Sequence, residues 1–183
     1  MDQATEIEQI RNDATLVHSA VEITAIIARL SAEIEDEIGD KCPVIVPIMM
    51  GGAFTAIEIC RHFDFGYELD WLHVSRYGRA LSGGELRWNS RPKLDLAGRT
   101  VLLVDDVLDR GVTLAAVIAE LQSLKPASIL TAVLVSKNID DDQGRPTVDF
   151  IGTRCPDHYL FGCGMDYKGF WRGLPALYAV AQS

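Results

Sequence analysis

Val101-Leu102-Leu103-Val104-Asp105-Asp106-Val107-Leu108-Asp109-Arg110-Gly111-Val112-Thr113 is the stretch that decides how this chain folds. Its four leading apolar residues leave no polar face, the pattern of a strand buried on both sides of a sheet. Two adjacent carboxylates, Asp105 and Asp106, follow at the strand tip. A short loop with Asp109, Arg110 and Gly111 comes next, and a helix is expected over Val112 to Leu124. Glycine at 111 permits a tight turn, so amide N–H groups converge where the helix opens, a natural cradle for a phosphate monoester. Thr113 adds a hydroxyl donor, and Asp105 and Asp106 are acceptors suited to sugar hydroxyls. Amides for a phosphate and carboxylates for a diol together fit a ribose 5-phosphate. Taken alone, the same spacing also fits an Asp-rich helix cap or a Walker-B-like acid pair.

Outward from this stretch, strand-like and helical runs alternate. A long amphipathic helix is expected from Ala14 to Ile38, stopped by Gly39, with Glu33, Glu35, Asp36 and Glu37 on its wet face. Val44 to Met49 reads as a buried strand despite Pro47. Gly51-Gly52 breaks it, and helical spacing resumes over Ala53 to Phe63. Further strands are expected at Tyr67–Val74, Ile129–Val135, Val148–Ile151 and Leu177–Val180. The glycine- and charge-rich residues Arg76 to Pro92 read as a hairpin or flap. This alternation predicts an α/β fold: a doubly wound, mostly parallel sheet with helices on both faces. In such sheets ligands bind at the carboxyl ends of the strands.

Composition narrows the function. At 183 residues with 48% hydrophobic side chains, one domain with an ordinary core is expected. Acids outnumber bases 26 to 17, for a formal charge of −9. That excess argues against nucleic acid or an anionic membrane as partner, since both need a basic face. The polar, acidic N-terminus is unlike a signal peptide, and no apolar run is long enough to span a bilayer. The four cysteines form no CxxC pair, so a reducing, cytoplasmic setting is expected.

The Val101–Thr113 stretch closely resembles the phosphoribosyl pyrophosphate signature of the type I phosphoribosyltransferases: four apolar residues, two acids, then a loop closing in Gly-x-Thr. Many members carry Thr where Arg110 stands. Other segments narrow the resemblance to the hypoxanthine-guanine phosphoribosyltransferases, over most of Val44 to Val180. Met49-Met50-Gly51-Gly52 is similar to that family's pyrophosphate loop, with Met50 where Lys or Arg is common and a non-proline cis bond often precedes it. Ser75-Arg76-Tyr77-Gly78 resembles the start of the catalytic flap, with Arg76 replacing a serine. Lys137, ending Val135-Ser136-Lys137, matches the lysine that donates to the purine 6-oxygen. An ammonium has donors only, so it suits a 6-oxo base and not a 6-amino one. Asp157-His158-Tyr159-Leu160, Met165-Asp166-Tyr167 and Trp171-Arg172-Gly173 resemble the base-binding strand and loop.

The resemblance implies a definite division of labour. Asp109 is the catalytic carboxylate, and Asp105, Asp106, Asp109, Arg110, Gly111, Val112 and Thr113 hold ribose 5-phosphate. Met50, Gly51, Gly52, Arg76, Tyr77 and Arg172 face pyrophosphate; Lys137, Tyr159, Leu160 and Asp166 face the purine. Mg²⁺ would lie among Asp105, Asp106 and Asp166. The implied partners are phosphoribosyl pyrophosphate and a 6-oxopurine, in a homo-oligomer (dimer or tetramer), with a flap at about 75–92 and a base-binding hood from both chain ends. The competing expectations are a xanthine-preferring enzyme and a nucleotide-sensing regulator on the same fold without catalysis.

Overall fold

Pairing the apolar runs side by side leaves two oily faces, and the fold covers both. The computed structural model describes residues 2–76, 86–140 and 144–181. In chain order they form α1 (Gln3–Asp13), β1 (Thr15–His18), α2 (Ala20–Ile38), β2 (Val44–Met49), α3 (Gly51–Cys60), β3 (Glu68–Leu69) and β4 (Leu72–Arg76). There follow β5 (Leu86–Ser90), β6 (Thr100–Leu108), α4 (Val112–Ser123), β7 (Ser128–Asn138), β8 (Phe150–Pro156), β9 (Leu160–Phe161) and β10 (Leu177–Ala179).

A seven-stranded sheet runs β5-β4-β2-β6-β7-β8, with β3 beside β2, and only the β4–β5 pair is antiparallel. Alternate strand residues feed two cores. Ile45, Leu102, Val104 and Leu134 pack with Leu30 and Ile34 of α2 and Ile59 of α3. Val44, Val46, Leu103 and Val133 pack instead with Leu114, Val117 and Leu121 of α4. Helices therefore cover both faces, as the alternation predicts. A second, three-stranded antiparallel sheet, β1-β10-β9, joins the two ends of the chain.

Several boundaries differ from those read in the sequence, each for a physical reason. The helix expected from Ala14 begins at Ala20. A capping box stops it there: the Glu22 amide donates to Ser19 Oγ and the Ser19 amide to Glu22 Oε2. Leu16 and Val17, which continue the helical spacing, lie in β1 instead. The polar N-terminus is itself a helix, capped by Asp2, with Ile7 as its buried residue. The glycines at 51 and 52 do not precede α3; they form its first turn.

The strand expected over Tyr67–Val74 is split at Asp70. That buried carboxylate accepts from the amides of Trp71 (2.8 Å), Lys93 (2.5 Å) and Leu94 (2.8 Å), tying the turn to a distant segment. Pro47 is tolerated because the β2 edge changes partner beside it. β3 pairs at Val44 and Ile45, β4 at Ile48 and Met49. β7 runs beyond its expected Ile129–Val135 at both ends, and the strand expected at Val148 begins at Phe150. Part of the region read as a flap is strand, with β4 and β5 as its antiparallel edges. Residues 77–85 of that flap, including Tyr77, lie outside the described residues, as do residues 141–143.

Candidate active site

The carboxyl ends of β2, β6 and β7 open into one cavity of about 410 Å³. β6 is longer than its apolar run, so Asp105 and Asp106 lie within the strand, paired alongside β7, and not beyond its tip. Their carboxyls turn back on the backbone: Asp105 Oδ1 accepts from the Asp106 amide at 3.0 Å, Asp106 Oδ1 from the Val107 amide at 2.8 Å. Burial, and then the neighbouring Asp106 charge, pushes the Asp105 carboxyl well above the usual range. Burial pushes Asp106 up as well, opposed by its hydrogen bonds and the Arg172 charge.

Close packing beneath this pair explains the glycines. A Cβ on Gly51 would stand 1.8 Å from Asp106 Oδ2, and one on Gly52 2.4 Å from the Val104 carbonyl oxygen. Gly52 is thus a packing residue that does not line the cavity, whereas Met50 and Gly51 do. The bond between Met49 and Met50 is cis, as the resemblance implies. Gly164, with φ +103°, presses on the same spot: a Cβ there would meet the Gly51 oxygen at 2.5 Å.

Asp109 and Arg110 are exposed in the loop after β6. Gly111 then turns the chain at φ +74° and heads α4 without a side-chain cap. A helix start of this kind favours an anion. Asp109, Arg110, Gly111 and Thr113 line the cavity, while Val112, exposed at the first position of α4, does not. Arg145 braces the loop by donating from Nη2 to the Leu108 carbonyl (2.6 Å) and to Ser136 Oγ (3.3 Å). Pro146 packs so closely on Gly111 that a Cβ there would lie 2.4 Å from it.

The far wall comes from β7 and the C-terminal third. Lys137, its side chain only 12% exposed, reaches Asp157 Oδ1 at 3.0 Å and Asp109 Oδ2 at 3.7 Å. Tyr159 is exposed and meets Tyr167 edge-on, ring centroids 5.6 Å apart. Leu160 is buried in β9, paired with Ala179. Arg172 forms an ion pair with Asp166 and donates to the Gly164 carbonyl at 2.7 Å. Tyr159, Leu160, Asp166 and Arg172 all line the cavity. Arg76 ends β4.

Three contributors escape the sequence reading: Asp157, Arg145 and Gly164. Asp157 stands in the quoted Asp157–Leu160 motif, which was the available signal. Nothing local marks the other two.

Among the described residues no group of three or more His, Cys, Asp or Glu is arranged to hold a metal ion. The expected trio Asp105, Asp106 and Asp166 is therefore not a ready-made ligand set, because Asp166 is engaged by Arg172 and by the Gly169 amide at 2.6 Å. The donors still suit Mg²⁺. That ion keeps several waters and takes substrate phosphate oxygens plus one or two carboxylates, and the Asp105–Asp106 pair can provide the carboxylates.

Known proteins share this arrangement. Residues 15–168 match the family model described as phosphoribosyl transferase domain, so the fold and site define a phosphoribosyltransferase. The chain is 29% identical over 179 residues to the hypoxanthine-guanine-xanthine phosphoribosyltransferase of Tritrichomonas foetus, covering 98% of each. It is 32% identical over 156 residues to the hypoxanthine-guanine phosphoribosyltransferase of Aquifex aeolicus, covering 84% of this chain and 87% of that one. A solved hypoxanthine phosphoribosyltransferase from Staphylococcus aureus superposes with a TM-score of 0.87 at 26% identity, covering 93% and 94% of the two chains. Within that broad family, the chain belongs to the hypoxanthine-guanine phosphoribosyltransferases.

Proposed function

We propose that this protein transfers the 5-phosphoribosyl group of phosphoribosyl pyrophosphate to a 6-oxopurine, hypoxanthine or guanine, in purine salvage. The bond from the sugar carbon to pyrophosphate breaks, and a bond from that carbon to a purine nitrogen forms. One observation carries the reading: an amide-rich helix start, an acid pair of half-buried Asp105 and buried Asp106, an ammonium flanked by carboxylates and an exposed aromatic ring share one cavity. Those are the groups that a phosphate, a ribose diol, a 6-oxo edge and a purine face each require.

Positioning dominates such a transfer, since the sugar carries developing positive charge and needs chiefly alignment and exclusion of water. The loop from Asp109 to Thr113 holds the 5-phosphate; Asp105 and Asp106 take the ribose hydroxyls. Lys137 donates to the purine 6-oxygen. Asp109, 3.7 Å from that ammonium, then faces the adjacent N7 edge, where it stabilises or removes a proton. Tyr159 stacks on the ring, and the Leu160 backbone with Asp166 reads its remaining edge. Met50, Gly51 and Arg172 face pyrophosphate, and the family resemblance alone adds Arg76 and Tyr77 to them. Mg²⁺ near Asp105 and Asp106 supplies charge neutralisation to the leaving group when bound.

Residues 1–183 act as one domain in this reading. The family resemblance assigns the catalytic flap to about 75–92, and the β1-β10-β9 sheet forms the hood beside the base. Exposed Phe54 and Ile57 on α3 support a homo-oligomer, dimer or tetramer. No helix among the described residues is long and apolar enough to cross a membrane. Four unpaired cysteines support a cytoplasmic setting.

Turnover with hypoxanthine, guanine, xanthine and adenine, each with Mg²⁺ and phosphoribosyl pyrophosphate, tests the proposal. Nucleotide should form from the 6-oxo bases and not from adenine; no product from any base would sink the enzyme reading. Rates with xanthine against guanine decide the xanthine-preferring alternative. Asp109→Asn should cut the forward rate about 100-fold or more while leaving phosphoribosyl pyrophosphate affinity nearly unchanged. Unchanged turnover would remove Asp109 from the mechanism.

A further inference from the structure

We infer that Asp157 is a positioning residue that aims the Lys137 ammonium at the purine 6-oxygen. The inference rests on the reading of Lys137 as the 6-oxo donor and adds a residue to it. Lys137 stands one place from the end of β7, and Asp157 directly follows β8. These strands are parallel neighbours, with Lys137 beside Cys155 and Asn138 beside Pro156. The sheet register therefore brings Asp157 against Lys137 through rigid backbone, without any dedicated loop.

Distance and donor count give the contact its purpose. Lys137 Nζ lies 3.0 Å from Asp157 Oδ1, within hydrogen-bond range, but 3.7 Å from Asp109 Oδ2, beyond it. Asp157 thus holds the ammonium directly and Asp109 attracts it at longer range. An ammonium has three N–H donors and no acceptor. With one donor on Asp157 and another toward Asp109, the third is left to the cavity that the lysine lines. A 6-oxo group accepts it without displacing either carboxylate. A 6-amino group meets a donor that has been held in place and cannot turn away.

An ordinary surface ion pair orders little. This one differs because the lysine side chain is 12% exposed, so its head has few other places to go. Asp157 itself is 49% exposed and accepts from Lys137 Nζ at 3.0 Å.

Steady-state kinetics on Asp157→Ala, Asp157→Asn, Lys137→Ala and the double variant Lys137→Ala/Asp157→Ala test this. Asp157→Ala should raise the KM for hypoxanthine about tenfold, the effect of losing one charged hydrogen bond, with the KM for phosphoribosyl pyrophosphate within about twofold. Asp157→Asn, which keeps an acceptor oxygen, should recover part of the loss. The double variant should be no worse than Lys137→Ala alone, because Asp157 acts only through the lysine. Equal rises in both substrates' KM, or losses that multiply in the double variant, would overturn the proposal and mark Asp157 as structural. If Lys137→Ala impairs hypoxanthine use and Asp157→Ala does not, the proposal fails and the reading of Lys137 stands. If Lys137→Ala leaves the KM for hypoxanthine unchanged, both fall.

Discussion

The large sheet and the small sheet build their shares of the site in opposite ways. Along β6, the loop and α4, the acid pair, Asp109 and the helix start come from one continuous segment of the chain. Their spacing is set by tight backbone packing, with Gly51, Gly52 and Gly164 pressed against β6 or its side chains. Around the small sheet, contacts join residues more than 160 positions apart, and they are polar. The Arg11 guanidinium lies 4.2 Å from the Tyr178 ring centre and Nη2 donates to its hydroxyl at 3.0 Å. Lys168 pairs with Glu6 at 2.5 Å, and the Trp171 indole N–H donates to the Ile7 carbonyl at 3.3 Å. Through these contacts α1 braces the turn that carries Asp166 and Arg172. Packing without slack fails abruptly when disturbed, whereas part-exposed polar contacts fail by degrees.

The sharpest way to break that contrast is Gly51→Ala. Its Cβ would stand 1.8 Å from Asp106 Oδ2, so either the helix start or the carboxylate must move. A displacement of this size should lower kcat/KM about 100-fold. Near-normal activity would show that the floor of the site yields.

Asp105→Asn should have an intermediate effect, read as stability of the protein in metal-free buffer. Burial and the Asp106 charge raise the Asp105 carboxyl above its unfolded value. A raised acid lends stability that is whole below the unfolded pKa and is lost as pH rises through the folded pKa. Above the unfolded pKa the wild-type protein gives up that contribution as pH rises, whereas the amide variant has no carboxylate to bury. Its melting temperature should exceed wild type by about 3 °C at pH 7, with the gap closing as pH falls toward 4. Calorimetry across that range checks the sign; a gap that widens on acidification would refute it.

Trp171→Phe should be the mildest change. It keeps an aromatic side chain, though a smaller one, and removes the N–H that reaches Ile7, so the KM for phosphoribosyl pyrophosphate should rise about threefold with kcat nearly constant. A loss as large as that of Gly51→Ala would mean that the small-sheet region is as unforgiving as the large one.

Residues that share a segment were legible and residues that meet across the fold were not. Asp105, Asp106, Asp109 and Gly111 could be read from Val101–Thr113 because their order along the chain is their order in space. Lys137 was readable as the end of an apolar strand. Asp157 stood in view, but its pairing with Lys137 depends on β7 and β8 lying side by side. Gly164 and Arg145 gave no sign, since each is explained only by a neighbour brought from a distant position. The helix α1 was missed because its sequence is polar and Ile7 is its only buried residue. Apolar periodicity cannot announce a helix held by Glu6, Arg11 and a backbone carbonyl. β1 was absorbed into α2 because Leu16 and Val17 happen to keep the helical interval, although Ser19 and Glu22 spelled the true start.

The sequence alone determined the sheet class, the acid pair of β6 with the glycine turn before α4, and the place of Lys137 at the end of an apolar strand. Each is local: apolar runs long enough to be strands, a glycine where the chain must turn, and an ammonium that can only donate. Tertiary structure decided that Asp105 and Asp106 sit inside a paired strand, half-buried and buried respectively and raised in pKa, and that Lys137 is held between Asp157 and Asp109. It also decided that the two chain ends close on each other beside the site. Strand register, burial and contacts across 160 residues are properties of the assembled chain, and no window of sequence contains them.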